Sequence, residues 1–302
     1  MAAEHLRWHA DRDGLNDPIM VAGFVRKNGF GTTAVAALTY LVTAQDGQLI
    51  AEIEPEDFFD FTVVSPMLER RDDQRVLVWP QNRILRLPTN KGSRDVLVLL
   101  GTEPHLHWGG FAEALRQFIT EAGVRELVLV SSWPGVLPHT RPIFLRVTTE
   151  DTDLAERLGR SPAPLEYVGP VDFGTTLLMR LDPSVRHARV SAIVPNYLGV
   201  VPNPLAMVAL VEACDRLCQT LTDIDEIRQL AEQVKARADE AVGESSELAD
   251  AVRQMEEQYD AMVADAASPH RGEERGEDSL PSPDELLRDV QAFLNKERDA
   301  PP

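Results

Sequence analysis

The chain has 302 residues, 43% of them hydrophobic, which gives length and apolar content enough for a folded core. Thirty Lys and Arg against 49 Asp and Glu leave a net charge of −19. Such a surface repels phosphate backbones and anionic lipid, so neither nucleic acid nor a membrane is an expected partner.

Residues 1–18 form a charged leader without the apolar stretch of a signal peptide or lipid anchor. No run approaches the roughly 18 apolar residues of a membrane span, so the expected location is the cytoplasm. Ile19 to Phe24 has the length and composition of a strand, Lys27 to Gly31 of a loop, and Thr32 to Val42 of a helix. Leu49 to Ile53 reads as the next strand, and Phe58, Phe59 and Phe61 in the acidic stretch Glu56 to Phe61 cannot all face water. Arg75 to Trp79 and Arg83 to Leu87, separated by Pro80, Gln81 and Asn82, read as an antiparallel hairpin.

Asp95 to Leu100 and Leu127 to Val130 are continuous apolar runs, the pattern of strands covered on both faces. Phe111, Leu115, Phe118 and Ile119 recur between them at helical spacing, so this stretch reads as a strand, helix, strand unit closing a parallel pair. Ile143 to Thr148, a helix starting near Asp151, and Ala188 to Val194 continue the alternation. The expected architecture is a three-layer α/β sandwich with an antiparallel hairpin.

From Pro204 helices take over. Met207, Leu210, Val211, Cys214 and Leu217 form an apolar stripe, in which the two cysteines, Cys214 and Cys218, lie on one face and pack as small hydrophobes. Two cysteines without a framework favour a reducing compartment. Ile224, Ile227, Leu230 and Val234, then Leu248, Val252, Met255 and Tyr259, continue the periodicity in a charged background that needs a partner for its apolar face. The expected organisation is a polar leader (1–18), an α/β core (19–222), a charged helical appendage (223–263), a flexible linker (264–282) and a short terminal helix with its tail (283–302).

Gly29, Gly31 and Ala34 match the G-x-G-x-x-A dinucleotide pattern, with Glu52 and Glu54 about twenty residues on. Val25 to Asn28 lengthen the turn that this fingerprint needs tight, and a glycine-rich helix start can offer free N–H groups to some other anion. His105 and His107 are spaced as two metal ligands on a strand or as capping and hydrogen-bonding groups; no third ligand stands at a telling distance, and no metal or cofactor is expected. Ser131, Ser132 and His139 follow a central strand, but the G-x-S-x-G elbow of a serine nucleophile is absent. Pro138 to Pro142 is a stiffened loop in which Arg141 offers a fork to a ligand carboxylate or ties down one of the protein's own, Glu103 being the candidate.

That loop, together with Gly101, Thr102, Glu103 and Pro104 leading to Trp108 and Phe111, and Asp57, Phe58, Phe59 and Asp60, resembles the proteasome-assembly-chaperone superfamily in its actinobacterial branch. Val194, Pro195, Asn196 and Tyr197, followed by Pro202, Asn203 and Pro204, extend the resemblance in the same order along residues 19 to 260. The chain departs from the pattern at Lys27 to Gly31, where many members carry a Gly-Trp-Asn-Asp-Ala-Gly type loop, and at His107, where an arginine is expected. The resemblance implies a fold like that of nucleoside phosphorylases, self-association, and in archaeal and eukaryotic relatives the escorting of proteasome subunits. Those relatives often end in a hydrophobic residue, a tyrosine and one more residue; this chain ends Asp299, Ala300, Pro301, Pro302, so docking by that route is not expected.

The expected function is that of a non-enzymatic assembly-chaperone-like or scaffolding protein, a homo-oligomer acting through protein contacts. The alternative is a small-molecule binder or enzyme, for a nucleotide, nucleoside or other anion, using a cleft at the C-terminal strand ends. The candidate cleft residues are Gly29, Gly31, Thr32, Glu103, His139, Thr140, Arg141 and Asn203. No catalytic residue is assigned.

Overall fold

The computed structural model describes residues 5–10, 14–71, 73–88, 93–160, 162–165 and 167–267. The expected linker and terminal helix lie outside them from residue 268 onward. One unit, Met1–Tyr259, holds the whole sheet; of the second, Asp260–Pro302, only the end of one helix is described.

The strands are β1 (Leu6–Trp8), β2 (Ile19–Val25), β3 (Gln48–Ile53), β4 (Met67–Arg71), β5 (Gln74–Val78), β6 (Asn82–Leu87), β7 (Val96–Thr102), β8 (Glu126–Gly135), β9 (Phe144–Thr148) and β10 (Arg186–Pro195). The helices are α1 (Thr32–Ala44), α2 (Trp108–Glu121), α3 (Thr152–Arg157), α4 (Phe173–Leu178), α5 (Pro204–Cys218), α6 (Asp225–Gly243) and α7 (Ser246–Ala267).

Eight strands form one sheet in the order β1-β3-β6-β7-β2-β8-β10-β9. The central four, β7, β2, β8 and β10, run parallel, and antiparallel strands close both sides. Alternation along the parallel strands explains the layers: Val21, Val98, Val128 and Val190 face one core with α1, α3 and α5, whereas Met20, Leu97 and Leu127 face another with α2 and α4. Near-continuous apolar runs are the price of burial on both faces, and this is why β7 and β8 were legible as interior strands. The leader also carries structure, since Leu6–Trp8 pairs antiparallel with β3.

Two sequence expectations fail on pairing. β5 and β6 are not a hairpin: β5 pairs with β4 in a separate two-stranded sheet, while β6 enters the main sheet between β3 and β7. The turn at Pro80 redirects the chain because Asn82 is fully buried and its side-chain oxygen accepts the Thr102 N–H at 3.0 Å, binding the start of β6 to the end of β7. β7 and β8 are parallel, as the strand, helix, strand unit requires, yet they are not neighbours; β2 lies between them. Phe58 and Phe59 are buried against the α2 side, and Phe61 packs edge-on to Trp79 at 4.9 Å.

Candidate functional site

The parallel strands β2, β7, β8 and β10 end on the same edge of the sheet, where side chains are presented without a following turn of strand to cover them. The loop from Val25 to Gly31 turns sharply there into α1. Gly31 has φ +84°, and a Cβ at that position would lie 2.1 Å from the Phe24 carbonyl oxygen, so only glycine lets the helix start so close to the strand it follows. Gly31 is explained by this approach, and Gly29 by its φ of +79°. The amides of the helix start are already spent: Gly31 N–H donates to the Ser132 carbonyl at 3.1 Å, Thr32 N–H to Gly29 at 3.3 Å, and Ala34 N–H to the Ser132 hydroxyl at 3.3 Å. The expected free N–H cradle for an anion is therefore filled by the protein itself at these three positions.

Gly29, Gly31 and Thr32 line a depression of about 280 Å³ with Phe30, Trp133 and the Gly199 to Val201 turn. Beside it, sharing Asn28, Phe30 and Trp133, opens a larger cavity of about 670 Å³ whose lining includes Arg26, Arg146, Tyr167, Asp172, Arg189 and Ser191. Two ion pairs brace this edge of the sheet. Arg26 donates to Glu103 at 3.3 Å and stacks over the Trp133 ring at 4.9 Å, while the other Glu103 oxygen accepts the Phe173 N–H at 2.6 Å. Arg189 grips both oxygens of Asp172 at 2.9 Å each, and Thr175 donates to the same carboxylate through its N–H and hydroxyl. Burial alone would raise the Asp172 carboxyl; the bonds and charge of Arg189 outweigh it and hold the group at about 2.

Of the expected cleft residues, Gly29, Gly31, Thr32 and Glu103 gather at this edge. The Glu103 pairing is corrected: its arginine is Arg26, and Arg141 instead donates to Glu256 on α7 at 3.1 Å, with Thr140 hydrogen-bonded to the same carboxylate. His139 is buried, its ring held between the Tyr197 hydroxyl and Asp239 of α6 at 3.1 Å, and its N–H donates to Tyr197 at 2.7 Å. Burial pushes the Tyr197 phenol up, and the nearby Asp239 and Glu256 add to it. The Pro138 to Pro142 loop is thus the seat of α6 and α7 and lines neither cavity. The appendage has its partner within the chain, Tyr259 closing on Phe144 edge-on at 6.5 Å. Asn203 caps α5 by accepting the Ala206 N–H at 3.2 Å.

The remaining candidates have structural partners too. His105 accepts the Asp60 N–H at 3.2 Å, His107 contacts the Asp57 carbonyl at 2.9 Å, and among the described residues no three His, Cys, Asp or Glu side chains gather as a metal site. Ser131 shares a 2.7 Å hydrogen bond with Ser191, and among the described residues no histidine is bonded to it. Burial pushes the Cys214 thiol up to about 12 and raises Cys218 as well, so the pair packs as hydrophobes. Among the described residues no helix is long and apolar enough to cross a membrane.

Arg26, Trp133, Arg146, Tyr167, Asp172 and Arg189 were not anticipated. One signal was available: β9 and β10 alternate apolar residues with Arg146, Thr148, Arg189 and Ser191, and the register places Arg146 opposite Ser191 and Thr148 opposite Arg189 on a single face.

The model of the PAC2 family matches residues 22–242. The chain belongs to the PAC2 family. A PAC2 family protein from Streptomyces avermitilis has the same fold, with a TM-score of 0.68 at 29% identity, covering 78% of this chain and 100% of that one. A Mycobacterium tuberculosis protein of unknown function, Rv2714, aligns with a TM-score of 0.72 at 25% identity over 86% of this chain and 90% of its own. The Mycobacterium tuberculosis proteasome-assembly chaperone homologue Rv2125 shares the fold with a TM-score of 0.66 at 24% identity, over 78% of this PAC2 chain and 99% of its own. No curated protein matches the chain by sequence.

Proposed function

We propose that this PAC2 protein is a non-enzymatic, chaperone-like protein that works through protein contacts, beginning with a second copy of itself. The observation that carries this reading is the β4–β5 hairpin. Among the described residues it hydrogen-bonds to no strand of the main sheet, and Met67, Leu68 and Leu77 on it are 65%, 62% and 59% exposed. A lone two-stranded sheet is marginal in water, and exposed leucines directly opposite each other, as Leu68 and Leu77 are, gain from being covered. Its outer edges also offer unpaired backbone groups to another strand. Membership of a family with an assembly-chaperone homologue supports the same reading, as does the engagement of Ser131, Ser132 and His139 with structural partners.

The test is light scattering of the full chain beside a Leu68→Glu, Leu77→Glu double variant. The expected result is an oligomer that falls to monomer on substitution with its far-UV circular dichroism intact. A monomeric wild type at tens of micromolar, or an oligomer indifferent to both substitutions, would overturn it.

A further inference from the structure

On the face of the sheet that carries α2 and α4, β8, β10 and β9 form a largely polar floor. The same strands present Val130, Val190, Ala192, Leu145 and Val147 to the opposite core, but on this face they carry Ser131, Trp133, Arg189, Ser191, Arg146 and Thr148. Leu165, Tyr167, Pro170 and Val171, from the segment before α4, stand across from them and leave the cavity of about 670 Å³ between. That volume is in the range of small-molecule sites, and it is too polar on its floor to be a packing defect.

Its charges do not cancel. Arg26 is matched by Glu103 and Arg189 by Asp172, whereas Arg146 has no acidic partner among the described residues. That leaves one guanidinium facing the cavity without a counter-charge among the described residues. Beside this polar floor stand aromatic rings. Phe30 and Trp133 meet edge to face at 5.4 Å, the Arg26 guanidinium already lies over the Trp133 ring at 4.9 Å, and Tyr167, 57% exposed, forms another part of the wall. Aromatic walls select a planar apolar body, and a single arginine fork selects one anionic group, best a carboxylate that it can meet with two N–H bonds.

We propose that this cavity is a binding site for a small planar aromatic carboxylate, its ring among Phe30, Trp133 and Tyr167 and its carboxylate on Arg146. The site is separate from the β4–β5 hairpin, and it does not depend on the protein-contact role. No covalent step is implied; the site binds.

Calorimetric titration of the full chain with 2-naphthoate tests it, with neutral 2-naphthamide and adenosine monophosphate as comparisons. Saturable binding of 2-naphthoate is expected, with the amide weaker by about tenfold or more, as the loss of a charge-assisted bond predicts. Arg146 is exposed, so Arg146→Gln leaves the fold unchanged and should weaken 2-naphthoate by a similar factor without affecting the amide. Tyr167→Ala should weaken both. Absence of saturable binding at millimolar 2-naphthoate, or an Arg146→Gln variant that binds it as the wild type does, overturns the site. Tighter binding of adenosine monophosphate than of 2-naphthoate overturns the carboxylate assignment in favour of a phosphate.

Discussion

Glu126, at the start of β8, and Asp172, just before α4, are carboxylates kept ionised by arginine. Glu126 opens β8 with its carboxylate almost wholly buried among Arg94 at 2.8 Å, Arg157 at 2.9 Å and Arg186. Burial would raise its carboxyl, and the bonds from Arg157 and Arg94 more than offset this. A buried partner removed from such a cluster leaves like charges facing one another, so Glu126→Gln is expected to cost on the order of 3 kcal/mol in urea unfolding. Asp172 supplies the pH dependence. Its folded value, about 2, lies below the unfolded one near 3.8, so its contribution is complete above about pH 4 and is lost as the pH falls toward 2. Arg189→Met removes what holds it down, and the acid-unfolding midpoint followed by circular dichroism should move to higher pH; an unmoved midpoint would show that the pair adds nothing to acid stability.

Among the elements, α5 has the clearest boundary signal, Asn203 followed by Pro204 at the first helical position. Asn203→Ala removes the side-chain acceptor for Ala206 N–H, and a loss of about 1 kcal/mol in denaturant unfolding is expected. Such local chemistry was legible, as were β2, α1, β7, α2 and β8, whose apolar periodicity is set by burial on known faces. Non-local pairing was not. The stretches Arg75 to Trp79 and Arg83 to Leu87 have the composition of hairpin arms, but β6 gains more by burying Ile84 and Leu87 in the main sheet, a choice decided by β3 and β7 and invisible in the local sequence. The six-residue α4 has too few turns for periodicity to show. The cavity escaped notice because Arg26, Trp133, Arg146, Tyr167 and Arg189 come from five separate segments, and each polar residue in β9 and β10 has the spacing of an ordinary solvated face. Nothing local to Arg141 says which carboxylate it meets; the fold gives that arginine to Glu256 of α7 rather than to Glu103.

At the scale of the whole molecule the net charge of −19 opposes the self-association that the hairpin invites. Two copies approaching through the face of Leu68 and Leu77 gain apolar burial, yet each carries its whole negative field with it. The range of that repulsion is set by salt: the screening length is about 30 Å at 0.01 M and about 8 Å at 0.15 M. Apolar contact is little weakened over the same interval. Sedimentation of the full chain across this range should therefore show association strengthening as sodium chloride is added, and strengthening further in sulfate, which favours apolar burial. The opposite trend would point to an interface made by ion pairs between Arg70, Arg71 or Arg75 of the hairpin and acidic residues of another copy, and would displace the apolar hairpin as the driving surface. The Leu68→Glu, Leu77→Glu variant, having lost the apolar term and gained two negative charges, should stay monomeric at every salt concentration.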